Sequence, residues 1–410
     1  MGQVNAGDTA WVLTSAALVM LMTPALGFFY GGLVRRKNVL STIMHSFFIL
    51  ALISVQWALW GYTLVFGNDK GGLIGGFEWI GLKGVGAAPN PNYGPTIPHI
   101  AFVMFQCMFA VITPALITGA FAERKRFKAF VVFSLAWATF VYAPIAHWVW
   151  NVNGWLFKFG AQDFAGGLVV HISSGVAALV AASMLGRRAG FGSEPMEPHN
   201  LTYTVLGAGL LWFGWFGFNP GSALGANGLA ANAFAVTNLA AAMGALTWLT
   251  VSWLRHGRPS VLGAAAGAVA GLVGITPAAG YVSPASGIAI GFGAGLICFF
   301  AVELLKEKVK IDDALDVFAV HGVGGIWGSL ATGIFAKASI NGIGHDGLLY
   351  GNPGLLGKQI VAVLVTVAFS ASATWLILKA IDATIGLRVP EQEEALGLDT
   401  TTHGELAYQL

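Results

Sequence analysis

Two histidines fall where a membrane-spanning chain tolerates almost no polarity. His171 lies in DFAGGLVVHISSGVAALVAASMLG, Asp163 to Gly186, and His321 lies in DVFAVHGVGGIWGSLATGIF, Asp316 to Phe335. Ionisable side chains inside such segments are rare and usually functional, although either one alone is equally well read as a hydrogen-bonded residue between helices. A pair permits more. Two neutral imidazoles in an apolar lumen can hydrogen-bond to each other, one donating and one accepting, and each can take up or pass on a proton. Metal binding is the rival chemistry for paired histidines. Neither has a third ligand at useful spacing on its own segment, where the neighbours are Gly, Val and Ser, so no metal site and no cofactor is expected.

The elements that must carry these residues follow from composition. The 410 residues are 56% hydrophobic and only 10% charged, with a mean hydropathy of +0.71. Charged residues make up about a quarter of a typical soluble domain, so the expected class is an all-α polytopic membrane protein. Apolar runs of about 20 residues cross a hydrocarbon core roughly 30 Å thick. Eleven such helices are predicted, at 9–33, 40–66, 99–121, 129–150, 163–186, 201–219, 230–254, 260–279, 285–305, 314–337 and 359–381. The net charge of +2 is too small to suggest nucleic acid as a partner. Cys107 and Cys298 lie far from any CxxC spacing and read as small buried side chains. The leading MGQVNAGDT carries no positive charge, so the first run reads as a helix and not as a signal peptide.

Arg and Lys concentrate in alternate loops. Arg35, Arg36 and Lys37 follow helix 1; Arg124, Lys125, Arg126 and Lys128 follow helix 3; Arg187 and Arg188 follow helix 5. Arg255 and Arg258 follow helix 7, and Lys306, Lys308 and Lys310 follow helix 9, against only Lys70, Lys83, Lys158, Lys337 and Lys358 on the other side. This bias places the N-terminus outside and the tail in the cytoplasm. Helices 1–5 and 6–10 then have opposite topology, an inverted 5+5 repeat with one helix added. Its clearest internal echo pairs Asp163 with His171 and Asp316 with His321. At 1.5 Å per residue, His171 lies about 12 Å below the outer end of its helix and His321 about 10 Å above the inner end of its own. Both reach mid-bilayer, and nothing in the sequence obliges them to meet. Glycines recur every fourth position at Gly263, Gly267, Gly271 and at Gly287, Gly291, Gly295, ridges that let membrane helices approach closely. No nucleophile–base motif or cofactor fingerprint marks an enzyme.

The motifs resemble those of the ammonium transporter (Amt/Mep/Rh) family, the Amt branch in particular, over nearly the whole chain. The stretch around His171 with the GRR after it and the VHGVGGIWG around His321 are similar to the family's fifth- and tenth-helix motifs. FFYGGLVRRKN, GAFAERKRF, APIAHWVW, FGWFGFNPGSA, GITPAAGYV and the tail GLRVPEQEEALGLDTTTHGELAY follow in the family's order. The resemblance implies a homotrimer in the cell (inner) membrane, one narrow apolar pore per subunit, and ammonium or ammonia as cargo, with methylammonium an open question. It implies that Phe109 and Phe218 close the outer end of the pore. Trp150 and Ser222 complete an outer ammonium site with them, and Asp163 shapes that site by capping a helix. Trp215 and Thr276 match further pore positions, and Asp316 an acidic residue toward the inner exit. His147 and His45 read as structural.

Residues 1–385 then form the transmembrane domain, and the acidic segment 386–410 a regulatory cytoplasmic tail, with Gly386, Glu391, Asp399 and His403 in its motif and a PII-type signal protein as its partner. Composition alone reads the same segment as a solvated, disordered end. Three functions compete: an ammonium transporter, an electroneutral Rh-like gas channel, and an ammonium sensor. Trp150 and Ser222 argue against the second; the lack of a fused signalling domain in the 410 residues argues against the third.

Overall fold

A computed structural model describes residues 3–408. Met1, Gly2, Gln409 and Leu410, the extremities of the two expected segments, lie outside the described residues. Among the described residues the secondary structure is helical apart from a two-stranded antiparallel hairpin, β1 (Asp69–Lys70) and β2 (Ile74–Gly75), on the α2–α3 connection. The apolar segments are α1 (Ala6–Leu33), α2 (Arg36–Phe66), α3 (His99–Phe121), α4 (Phe127–Phe159), α5 (Gly167–Leu185), α6 (Leu201–Ala223), α7 (Gly228–His256), α8 (Val261–Ile275), α9 (Pro284–Val309), α10 (Phe318–Phe335) and α11 (Pro353–Thr384). Ten are long and apolar enough to cross a membrane, and α8 is the shorter eleventh. The protein is a multi-pass membrane protein. Segments α3 and α5 are the inner ones, 83% and 78% buried against 28% for α11.

All eleven expected helices are present, and four of their ends move for local reasons. Helices α5 and α10 begin at Gly167 and Phe318, not at 163 and 314. The residues before them turn through left-handed backbone, at Gly166 (φ 119°) and Asp316 (φ 59°), which ends any upstream helix. Segment α8 stops at Ile275 because Pro277 has no N–H to continue it. Segment α11 starts six residues early because Pro353 suits a first helical position.

The glycine ridges pack as their spacing suggests. A Cβ at Gly267 or Gly295 would lie 2.5 or 2.7 Å from the Gly244 carbonyl oxygen, and one at Gly271 or Gly291 would lie 2.2 or 2.3 Å from that of Ala240. Both ridges therefore seat α8 and α9 against one stretch of α7. A tighter crossing joins α5 to α10, where a Cβ at Gly175 would meet the Gly322 backbone nitrogen at 2.2 Å. Backbone cannot yield as a side-chain end can. Gly175→Ala is expected to pry α5 from α10 at about 1–3 kcal/mol, and to lower any flux that depends on the placement of His171 and His321, which sit beside this crossing. Thermal melting and flux measured together check this; unchanged values in both would show that the crossing tolerates a methyl group.

Ion pairs cross the face that carries the basic loops. Glu123 takes Arg35 at 2.7 Å and Arg188 at 3.6 Å, and Arg188 reaches Asp312 at 2.8 Å. The tail folds onto this face. The Arg126 N–H donates to Leu387 O (3.0 Å) and the Val389 N–H to Arg124 O (3.1 Å), leading into α12 (Glu391–Leu396) and α13 (Leu398–His403). Gly386 makes the left-handed turn after α11 (φ 73°). Glu391 opens α12 and is exposed, while Asp399 accepts from the Leu40 and Ser41 N–H groups at 3.0 and 2.8 Å. His403 lies edge-on to Phe127, centroids 5.5 Å apart. Glu394 is fully buried and accepts from Ala189 N–H (2.7 Å) and the Arg388 guanidinium (2.7 Å). Glu394→Ala leaves those donors without an acceptor, which is expected to weaken tail docking by about 1–3 kcal/mol. Faster amide exchange across 391–403 is the expected readout, and unaltered protection would assign the docking to other contacts.

Candidate functional site

The two histidines meet. His171 Nδ1 and His321 Nδ1 lie 3.2 Å apart, with ring centroids 5.3 Å apart and planes 21° from parallel. They are only 2% and 4% exposed. One Nδ1 must carry the hydrogen and the other must accept it, so the rings hold complementary tautomers. The donor ring then has a bare Nε2 and the acceptor ring an Nε2–H. A proton taken at the first and given up at the second reverses the bond without moving either ring. His171 Nε2 has no protein partner, which leaves it available to cargo.

Local backbone explains the meeting. His171 sits in a π-helical turn, Gly167–Ile172, and His321 in another, Phe318–Gly322. Such turns shift the helical register and occur often at functional sites. Asp163 anchors the first: its Oδ1 accepts from Gly166 and Gly167 N–H (2.8 and 2.6 Å), and its Oδ2 from Leu168 and Val169 N–H (2.8 and 3.2 Å). Its counterpart on the second turn is Asp313, whose Oδ2 accepts from Phe318 N–H at 2.7 Å. This corrects the expected echo of Asp316 with His321. Asp163 and His171 are eight apart, as are Asp313 and His321; Asp316 instead occupies left-handed backbone and pairs with Lys306 at 2.6 Å.

Aromatic rings close the path on the side opposite the basic loops. Phe109 and Phe218 lie 4.3 Å apart between centroids, tilted by 32°, and Trp150 stands at 90° to Phe109 at 5.7 Å. The Trp150 indole N–H donates to the Asp163 carbonyl (3.1 Å), tying the mouth to the α5 anchor. Ser222 Oγ donates to Phe218 O (2.8 Å), which leaves its lone pairs free to accept. Gln106, Phe109, Trp150 and Ser222 line one open cavity. Below the rings, Trp215 stacks on His171 at 5.5 Å and donates its indole N–H to Thr276 Oγ1 (2.9 Å). A small, almost wholly apolar cavity lined by Met22, Leu26, Val170 and Leu211 touches both histidines. On the basic side, an inner vestibule reaches His321 past Tyr30, Lys306 and Asp316.

The other expected residues are placed elsewhere. His147 is held between Val65 O (2.7 Å) and the Asp69 carboxylate (2.9 Å), and His45 packs on Phe130 at 4.3 Å. Gln106, Lys306, Tyr30 and Asp313 belong to the site region without having been marked in the sequence. For Asp313 a signal existed in the repeated interval of eight.

Comparison with known proteins decides the family. The Ammonium Transporter Family model matches residues 10–408. The chain belongs to that family. It is 55% identical over 403 residues to the Ammonium transporter of Bacillus subtilis, covering 98% of each chain. It is 50% identical over 402 residues to Ammonium transporter Amt1 of Archaeoglobus fulgidus, covering 98% of this chain and 99% of that one. Among solved structures, Mep2 of Candida albicans superposes with a TM-score of 0.90 at 41% identity, over 95% of this chain and 88% of its own. A "Sensor Amt Protein" superposes with a TM-score of 0.89 at 30% identity, over 97% and 98%. The family match therefore runs from residue 10 to 408 and includes the docked tail.

Proposed function

We propose that this chain is an ammonium transporter that takes ammonium at the Trp150 mouth, removes its proton near the phenylalanine pair, and passes ammonia along His171 and His321. The observation that carries this reading is the 3.2 Å contact between two buried imidazoles beneath an aromatic-capped mouth. An ion in a dry, low-dielectric lumen costs tens of kcal/mol by Born solvation, whereas neutral ammonia costs far less. Each aromatic face attracts a cation by roughly 0.5–2 kcal/mol, and Ser222 supplies an acceptor, so ammonium gathers where deprotonation is needed. Sodium and potassium have no proton to give up and are refused. The proton crosses by way of the histidines, and the net event is electrogenic.

The same reading sets the Trp150 mouth outside and the basic loops and tail in the cytoplasm of a cell with the transporter in its inner membrane. The inverted 5+5 plan accounts for the matched Asp–His intervals on α5 and α10. Subunits associate as a homotrimer, and the tail with Gly386, Glu391, Asp399 and His403 regulates the pore and receives a PII-type protein. The experiment is an ammonium jump on purified protein in proteoliposomes, with current and internal pH recorded together. A saturable current is expected. Alkalinisation without current would replace the reading with a neutral gas channel, and binding without either signal would replace it with a sensor.

A further inference from the structure

Asp163 and Asp313 occupy matching positions before their histidines and differ in one respect. Both oxygens of Asp163 are taken up by four backbone N–H donors. Asp313 uses Oδ2 to cap α10, while its Oδ1 has no hydrogen-bond partner, although the residue is only 4% exposed. A buried carboxylate oxygen without a donor is costly, and a cap that needs one oxygen does not account for it.

Its surroundings suit a group that changes protonation. Lys306 and Ala314 line both the inner vestibule that reaches His321 and a second cavity that opens on the basic face, and Asp313 lines that second cavity. We propose that Asp313 Oδ1 accepts the proton leaving the histidine pair and releases it to the basic-face cavity. The inference rests on the relayed-proton reading above. The imidazolium N–H breaks and, through water passing from the vestibule along Lys306 and Ala314 to the cavity that Asp313 lines, an O–H forms at Oδ1. That O–H then breaks to water in the second cavity, restoring the carboxylate and leaving no other species changed.

The groups around it tune this exchange. Burial, with the Asp316 charge beside it, pushes the Asp313 carboxyl up to about 7, against the opposing pull of the nearby Phe318 and Val317 N–H groups and of Lys306. Tyr30 of α1 is close enough to feel the Asp313 charge. Asp312, next in sequence, is neutralised by Arg188 and by Arg124, so it adds little repulsion. Near neutral pH Asp313 can therefore both take and give a proton, as an efficient relay group must.

The test is Asp313→Asn in proteoliposomes, since the amide oxygen can still cap Phe318. The ammonium-evoked current is expected to fall at least about tenfold while passive ammonia flux, read as internal alkalinisation, persists. An undiminished current would overturn the proposal and leave the histidine relay standing. Loss of both current and ammonia flux would overturn it in favour of a purely structural cap. No current in the unmodified protein would fail the relay reading itself. If the variant does not fold, the unmodified protein still decides. Its current should fall as basic-face pH drops through about 7, because the protonated carboxyl cannot accept. Lys306→Gln should move that midpoint upward; a flat profile between about pH 5.5 and 8.5, well either side of that midpoint, would overturn the proposal.

Discussion

Asp163→Ala is expected to destabilise the protein by several kcal/mol and to abolish transport. The carboxylate is the acceptor for four consecutive N–H groups, Gly166 to Val169, in the first turn of α5. All four donors are buried, and an orphaned buried donor costs about 1–3 kcal/mol. Partial relaxation keeps the sum below four full penalties, so on the order of 3–5 kcal/mol is the expected loss. The turn that unravels is the one that aims His171. Trp150 is tied to the same residue through the Asp163 carbonyl, so the mouth loosens too. Asp163→Asn should fall between, because one amide oxygen can serve only part of the donor set and the new NH2 opposes the rest. Melting temperature and ammonium-evoked current in the two variants test the ranking. Wild-type melting in Asp163→Ala would mean that other acceptors hold the turn.

Much of this arrangement was legible before any coordinates. Span lengths, the alternating Arg and Lys loops and the near-absence of charge inside the spans are one-dimensional signals, and they locate all eleven helices. The motif residues Phe109, Trp150 and Ser222 also line one cavity, with Phe218 packed against Phe109. What stayed hidden depends on hydrogen-bond register. A π-helical turn has no distinctive residue pattern, so the starts of α5 and α10 were placed four residues early. The same error paired His321 with Asp316 when the capping group is Asp313. Run DDALD offers three aspartates within five positions, and only the backbone shows which of them caps, which pairs with Lys306 and which pairs with Arg188. The tail poses the opposite problem. Its acidic composition reads as solvated chain, yet Glu394 and Asp399 are buried against donors more than 200 residues away. No local pattern could announce partners so distant.

A large functional effect without the loss of a helix cap is expected at the histidines. In His171→Ala or His321→Ala the surviving Nδ1 loses its partner at 3.2 Å, and the lumen gains a void the size of an imidazole. A positioned acid–base group is worth roughly 10²–10⁴ in rate, so an electrogenic current that needs both rings should fall by about 100-fold or more in either single variant. The void also admits water, and with water the barrier that excludes potassium drops. Competition by potassium should therefore appear where the unmodified protein is expected to show none. His171→Gln separates the two roles. Its amide can hold a hydrogen bond to His321 but cannot carry a proton near neutral pH, so it should keep selectivity better than alanine while losing the current. Wild-type current in both alanine variants would remove the histidines from the mechanism. Wild-type current in the glutamine variant alone would reduce His171 to a spacer that shapes the lumen and leave the proton to another path.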